Sequence, residues 1–286
     1  MRPIFKVFQR TKTPSPCKVR EFQAGFTLVE MVVVITIVGI LAAGAALFIR
    51  NPTQAFIDSE NRANLTDRAD TALRRMASDI RNALPNSVRT SVSGANSFIE
   101  FVPVNSAGRY RASAGAAASD NPLDFSLAAD TFDVLGPSVS VTAGDRLVIY
   151  NLGIPGSDVY EGTNSRALQT TGNLTVLSFN GGTFPQESPS SRFFIISTPV
   201  SYVCDITNNV LLMYSGYAIQ ANQPTTVAAL NGLATARILA NGLTSCQVNY
   251  VPGVLQRSGV ITINLGFTQD VATVTLMHQV NVVNSP

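Results

Sequence analysis

The chain is 286 residues long, with 45% hydrophobic and only 13% charged side chains, so its polar surface must come largely from Ser, Thr, Asn and Gln. Its formal net charge of +2 is a property of one end. The first 25 residues carry Arg2, Lys6, Arg10, Lys12, Lys18 and Arg20 against Glu21 alone, a net of +5, and the rest is at −3. The remainder therefore lacks the basic patch on which a nucleic-acid binder depends, and no nucleic-acid partner is expected.

After the basic arm comes "GFTLVEMVVVITIVGILAAG", in which the residues from Met31 to Ile49 carry no charge. A helix needs about 20 such residues to cross a bilayer. The run exceeds the apolar core of an ordinary signal peptide, about 7–15 residues, and no clean small-x-small cleavage site follows it. The segment is therefore expected to stay, with the basic arm cytoplasmic and the body outside. Val32 to Val38 are all β-branched and in water would read as a buried strand. The length of the run and the lack of turn residues favour a membrane helix, whose backbone hydrogen bonds close internally. Glu30 stands out, because a carboxylate deep in lipid costs roughly 2.5–3.5 kcal/mol. It requires a partner.

Pro52 removes a helical hydrogen bond to Phe48 and is expected to kink or loosen the helix there. Beyond it, Leu65, Ala69, Leu73, Met76, Ile80 and Leu84 recur every three or four residues and define one apolar face. Asp70 with Arg74 is an i, i+4 pair in the favourable order, and Pro85 is expected to end the helix after Leu84. Phe26 to Leu84 would extend roughly 90 Å at about 1.5 Å per residue. No compact domain buries such a helix, so its first half belongs in a membrane or an assembly and its second half on a body.

From Asn86 onward short strand candidates dominate: "SFIEFVPV", "DRLVIYNL", "LTVLSF", "RFFIIS", "VSYVCDI", "NVLLMYS", "CQVNYV", "GVITINLGFT" and "VATVTLMHQVNVV". Asn208-Asn209 is a hairpin turn candidate. "RYRASAGAAASDNP" and "NGGTFPQESPSS" read as surface loops, and "TTVAALNGLATARILANGL" as holding a short helix that ends near Gly242. The fold class expected is α+β: a long N-terminal helix packed on an antiparallel, β-rich body.

Catalysis finds little support. The one histidine, His278, lies in an alternating strand pattern, and no nucleophile elbow or phosphate loop is present. Asp120, Asp124, Asp130 and Asp133 are close in sequence but lack EF-hand spacing. Two body cysteines and one histidine are too few for a zinc site. Neither an enzyme, nor a metal, nor a cofactor is expected. With the body outside the cytoplasm, Cys204 and Cys246 read as a disulfide, the alternative being two buried free thiols; Cys17 lies in the arm.

"AGFTLVEMVVVITIVGILAA" resembles the class III signal of type IV pilins and type II secretion pseudopilins. The resemblance implies that a prepilin peptidase cuts between Gly25 and Phe26 and then methylates the new amine of Phe26, leaving the apolar helix in place. It implies a leader over 1–25, a long helix over 26–84 with a transmembrane segment at about 26–49, and a pilin body over 85–286. It supplies a partner for Glu30 too: the Phe26 amine, belonging to a neighbouring subunit in this family, so that the pair sets axial register. A pair within one chain is the alternative. "LTDRADTALRRMASDIRNALPNSVR", Leu65 to Arg89, is similar to the MSHA biogenesis minor pilins of the MshO group, relatives of the J-type pseudopilins. "RILANGLTSCQVNYVPG", "RSGVITINLGF" and the ending "LMHQVNVVNSP" are similar as well.

The implied role is a minor pilin in pilus initiation, at or near the filament tip. Its partners would be prepilin peptidase, other minor and major pilins and the inner-membrane assembly platform. It would sit in the inner membrane with a periplasmic body before reaching the pilus. A minor pseudopilin of a type II secretion system, or a surface adhesin subunit, are the alternatives.

Overall fold

The computed structural model describes residues 25–253 and 257–286, with the backbone alone for 47–53. The first 24 residues, Cys17 among them, lie outside the described residues. One long helix, α1 (Leu28–Arg81), leads into a body of antiparallel strands, so the fold is α+β as expected. The chain divides into two compact units, Met1–Ala55 and Phe56–Pro286.

Within the first unit, Leu28–Ala46 forms a 19-residue stretch of mean hydropathy 2.5, long and apolar enough to cross a membrane. None of it is buried by the rest of the chain. Helix α1 is continuous through Pro52 in its backbone assignment. The side chains around it, and with them the expected kink, lie outside the described residues.

In the second unit, α1 buries the face that its periodicity marks: Leu65, Ala69, Leu73, Met76 and Ile80, together with Ala72 and Ala77. The helix stops at Arg81, three residues before the expected end. Its exit is fixed by the sheet, since the Leu84 N–H bonds the Val102 carbonyl at 2.8 Å and Ala83 bridges to Pro103. Pro85 follows, and Asn86 adopts a left-handed conformation at φ 58°. Leu84 itself is buried, in a separate cluster.

Strands β1 (Arg89–Ser93) and β2 (Asn96–Phe101) open a five-stranded sheet. The chain then leaves it for β3 (Val104–Tyr110), β4 (Asp130–Leu135), β5 (Val139–Val141), β6 (Arg146–Ile149), β7 (Ser165–Leu168), β8 (Gly172–Leu174), β9 (Val176–Asn180) and β10 (Arg192–Ile196). Six of these close into a barrel in the order β10-β3-β4-β9-β7-β6, while β5 and β8 pair as a separate ribbon. Aromatic edges fill the barrel: Phe132 packs against Phe193 at 5.6 Å and Phe179 against Phe184 at 5.1 Å between ring centroids.

The chain returns as β11 (Val200–Asp205), β12 (Val210–Ser215), helix α2 (Val227–Asn231) and β13 (Arg237–Asn241), which complete the sheet in the order β1-β2-β11-β12-β13. Asn209 supplies the left-handed turn residue of the β11–β12 hairpin at φ 56°, as the Asn-Asn signal predicts. The short helix ends at Asn231, well before Gly242. Thr226 starts it by accepting the Ala229 N–H, and the Gly232 N–H closes its last turn on Ala228. The stretch expected to extend it instead pairs with β12 as β13.

Strands β14 (Leu243–Val251), β15 (Gly259–Gln269) and β16 (Ala272–Val282) form a third, three-stranded sheet. The main core lies between α1, the five-stranded sheet (Ile99, Phe101, Tyr202) and this third sheet (Ile261, Ile263, Phe267). Strand β11 is buried along its whole length. Its opposite face meets a second layer of Phe98, Val203, Tyr214, Tyr217 and Leu230.

Candidate functional site at the N-terminus of the long helix

The residues singled out in the sequence at the front of α1 lie together at an exposed helix start. Gly25 and Phe26 precede the first helical turn, and Phe26 is 76% exposed. Thr27 caps the helix. Its Oγ1 accepts the Glu30 N–H at 3.2 Å while its carbonyl accepts the Met31 N–H at 3.1 Å. A Thr followed three residues later by Glu is a capping-box signal, so Thr27 could have been found in the sequence and was not. The cap fixes where the helix begins and places Glu30 in its first turn, where the helix dipole favours negative charge.

Around Glu30 and beyond it the helix is apolar on every side: Leu28, Val29, Met31, Val32, Val33, Val34, Ile35, Ile37, Val38, Ile40 and Leu41 are all exposed. The one hydroxyl in this stretch, on Thr36, donates to the Val32 and Val33 carbonyls at 3.0 and 2.8 Å, so it is satisfied within the helix. Such a surface is stable only against lipid or neighbouring apolar helices.

In the second unit, Cys204 on β11 and Cys246 on β14 form a disulfide with 6.2 Å between Cα atoms. It joins the five-stranded sheet to the three-stranded one. Polar contacts also tie the body to α1. Tyr202 donates its hydroxyl to Asp79 at 2.6 Å, and Asp79 also accepts from Arg75 at 2.8 Å. Burial, followed by the bond to Asp79, holds the Tyr202 hydroxyl well above the ordinary tyrosine range.

Glu100 is wholly buried near the end of β2 and satisfied by Arg89 at 2.8 Å and the Tyr217 hydroxyl at 2.9 Å. Arg89 stacks over the Tyr160 ring at 3.5 Å and donates to the Gln220 and Ala221 carbonyls. This cluster locks a barrel loop and the segment after β12 onto the sheet. The sequence shows Glu100 only as a charge inside "SFIEF" and gives no sign of its partners.

The four aspartates do not converge. Asp120 and Asp133 both pair with Arg111, at 3.2 and 2.9 Å, while Asp124 accepts from Ser126 and Asp130 from the Asp124 N–H. Among the described residues no group of three His, Cys, Asp or Glu gathers as a metal site. His278 lies on β16 opposite Ile263, lining a depression with Asp70, Arg74, Ala77 and Arg81.

Comparison with known proteins agrees with the N-terminal geometry. Residues 22–46 match the model of the prokaryotic N-terminal methylation motif. No curated protein and no solved structure matches the chain. The motif spans Gly25, Phe26, Glu30 and the exposed apolar helix, and it marks the chain as carrying a type IV pilin-like or pseudopilin-like N-terminus.

Proposed function

We propose that this chain is a minor type IV pilin of the MSHA type, a non-enzymatic subunit that takes part in starting or capping a filament. Prepilin peptidase cuts between Gly25 and Phe26 and methylates Phe26. The subunit waits in the inner membrane with its body in the periplasm, and then joins other minor and major pilins on the assembly platform. The observation that carries this reading is the methylation motif over 22–46, seated on a helix with an exposed apolar surface and with Glu30 in its capped first turn. The new amine at Phe26 and the Glu30 carboxylate supply the opposite charges that an apolar helix bundle requires of each other.

The MSHA assignment rests on the likeness of Leu65 to Arg89 and of the C-terminal strands. A place at or near the tip is supported by bulk. The barrel inserted between β2 and β11 enlarges the body, and a low-copy subunit accommodates such an addition more easily than one repeated along a shaft. The test is mass spectrometry of purified pili and of membranes. Methylated Phe26 as the mature N-terminus, in a subunit present at low copy in pili, is the expected result. A mature N-terminus beyond Ala42 would overturn the pilin reading, and presence only in a secretion apparatus would favour the pseudopilin alternative.

A further inference from the structure

Beyond residue 25 every cation of the chain is arginine, since the last lysine is Lys18. Several of these arginines have carboxylate partners: Arg74 with Asp70, Arg75 with Asp79, Arg89 with Glu100, and Arg111 with Asp120 and Asp133. Three others converge without one. Arg81 from the last turn of α1, Arg109 from β3 and Arg192 from β10 line a groove of about 450 Å³ that has no acidic residue in its wall among the described residues. Among the described residues none of the three makes an ion pair.

Arg109 and Arg192 stand directly opposite each other in the β3–β10 ladder. Like charges so placed destabilise a sheet. The α1 C-terminus accounts for Arg81, because its dipole favours a cation there. Nothing comparable accounts for the opposed pair. Arg109 is also held, its Nε donating to the Ser190 carbonyl at 3.1 Å. Guanidinium groups recognise carboxylate and sulfate oxygens through paired N–H donors. The remaining wall offers the half-buried Phe194 as an apolar surface and Asn82 and Ser285 as polar ones. The volume falls within the range of small-molecule pockets, roughly 300–1,000 Å³, which suits a sugar unit rather than a protein surface.

We propose that this groove binds a saccharide unit bearing a carboxylate or sulfate. The proposal stands on the body alone and does not depend on the pilin reading. It is tested with the full chain in detergent, titrated with a fluorescently labelled sulfated uronate disaccharide. The neutral counterpart, inorganic sulfate and an oligoglutamate peptide are run beside it. The wild-type chain is expected to bind the acidic disaccharide saturably and with steep salt dependence, and to ignore the neutral one. The double variant R109Q/R192Q should lose about tenfold or more in affinity, as expected for removing two charge-assisted contacts. R237Q, an exposed arginine outside the groove, should stay within about twofold.

Thermal unfolding of R109Q/R192Q should match or exceed that of the wild type, because a like-charge pair is removed. If the double variant fails to fold, the single variants are read in its place. The proposal is overturned by absence of binding, by equal affinity for the neutral sugar or for sulfate, by tighter binding of the peptide, or by equal losses in R237Q.

Discussion

Phe101 and Val200 face each other across β2 and β11 as register partners, although the whole barrel, residues 102–199, runs between them. The barrel is thus an insertion at the tip of an antiparallel hairpin. Its apolar contact with the rest of the body runs through Leu84 and Val102, which pack with Val148, Val159, Tyr160 and Ile196. Polar contacts add to it, the Tyr160 hydroxyl donating to the Ser87 carbonyl and the Asn151 amide to the Pro85 carbonyl.

Replacing residues 103–198 with a short Asn-Gly turn should therefore leave the helix–sheet core intact. Asn-Gly suits the twist of a tight hairpin. The cost should be about 1.5–3 kcal/mol for each of Leu84 and Val102, whose cover is removed. Correct formation of the Cys204–Cys246 bond, read by mass spectrometry under non-reducing conditions, checks the outcome. Failure to form it would mean that the barrel is integral to the core.

Alkaline pH should destabilise the body. Tyr160, Tyr202 and Tyr217 all have their hydroxyls pushed well above the ordinary value, chiefly by burial. The Glu100 charge adds to this at Tyr160 and Tyr217, and the bond to Asp79 at Tyr202. The folded state thus holds these protons more tightly than the unfolded chain, in which a tyrosine loses its proton near pH 10. Stability is fully present below about pH 10 and falls as pH rises beyond it. Denaturant midpoints measured across that range should decline, and the part of the phenolate absorbance that Tyr160→Phe, Tyr202→Phe and Tyr217→Phe each remove should appear only as the chain unfolds. Phenolate absorbance assigned in this way to Tyr160, Tyr202 or Tyr217 at about pH 10, in a chain that stays folded, would contradict the burial of these hydroxyls.

Removing the disulfide by Cys204→Ala with Cys246→Ala should cost roughly 3–4 kcal/mol for a closed loop of 42 residues, on a chain-entropy estimate. The effect should centre on β14, which loses its covalent tie to β11. Hydrogen exchange should show faster opening of β14 and little change in the barrel. Alkylation without reductant should label neither thiol in the wild-type body.

Glu30→Ala makes the apolar segment more hydrophobic, so membrane insertion should be kept. The body should fold with its disulfide formed. On the pilin reading proposed above, assembly is what should fail, since a neighbouring subunit's amine would enter an apolar bundle without a counter-charge and an unpaired buried charge costs several kcal/mol. Pilus counts should fall at normal membrane levels of the subunit, with Phe26 methylation verified in the same cells. Thr27→Ala should cost about 1 kcal/mol of local helix stability by removing the cap. Full piliation with Glu30→Ala as the sole copy would exclude a role for this carboxylate in assembly.

What the sequence determined by itself is whatever a short stretch of chain decides locally. The uncharged run after Glu30 sets a membrane-length helix, and the spacing of Leu65, Ala69, Leu73, Met76 and Ile80 marks the face that is buried. Alternating apolar residues mark β2, β6 and β9 to β12, and β14 to β16, because each presents its pattern within one strand. The methylation motif is local in the same sense. Strand β3, "VNSAGRY", alternates in burial but is built from small and polar residues, so its pattern carries no hydrophobic signal. Strands β5 and β8 are three residues each, β4, "DTFDVL", is interrupted by aspartates, and β13 lies in a stretch whose composition reads as helical. Barrel closure through β6 and β10, the return of Val200 to Phe101, the partners of Glu100 and the convergence of Arg81, Arg109 and Arg192 were decided only by the tertiary structure. Each joins residues far apart in the chain, and such pairings depend on loop closure and mutual burial, which no local periodicity records.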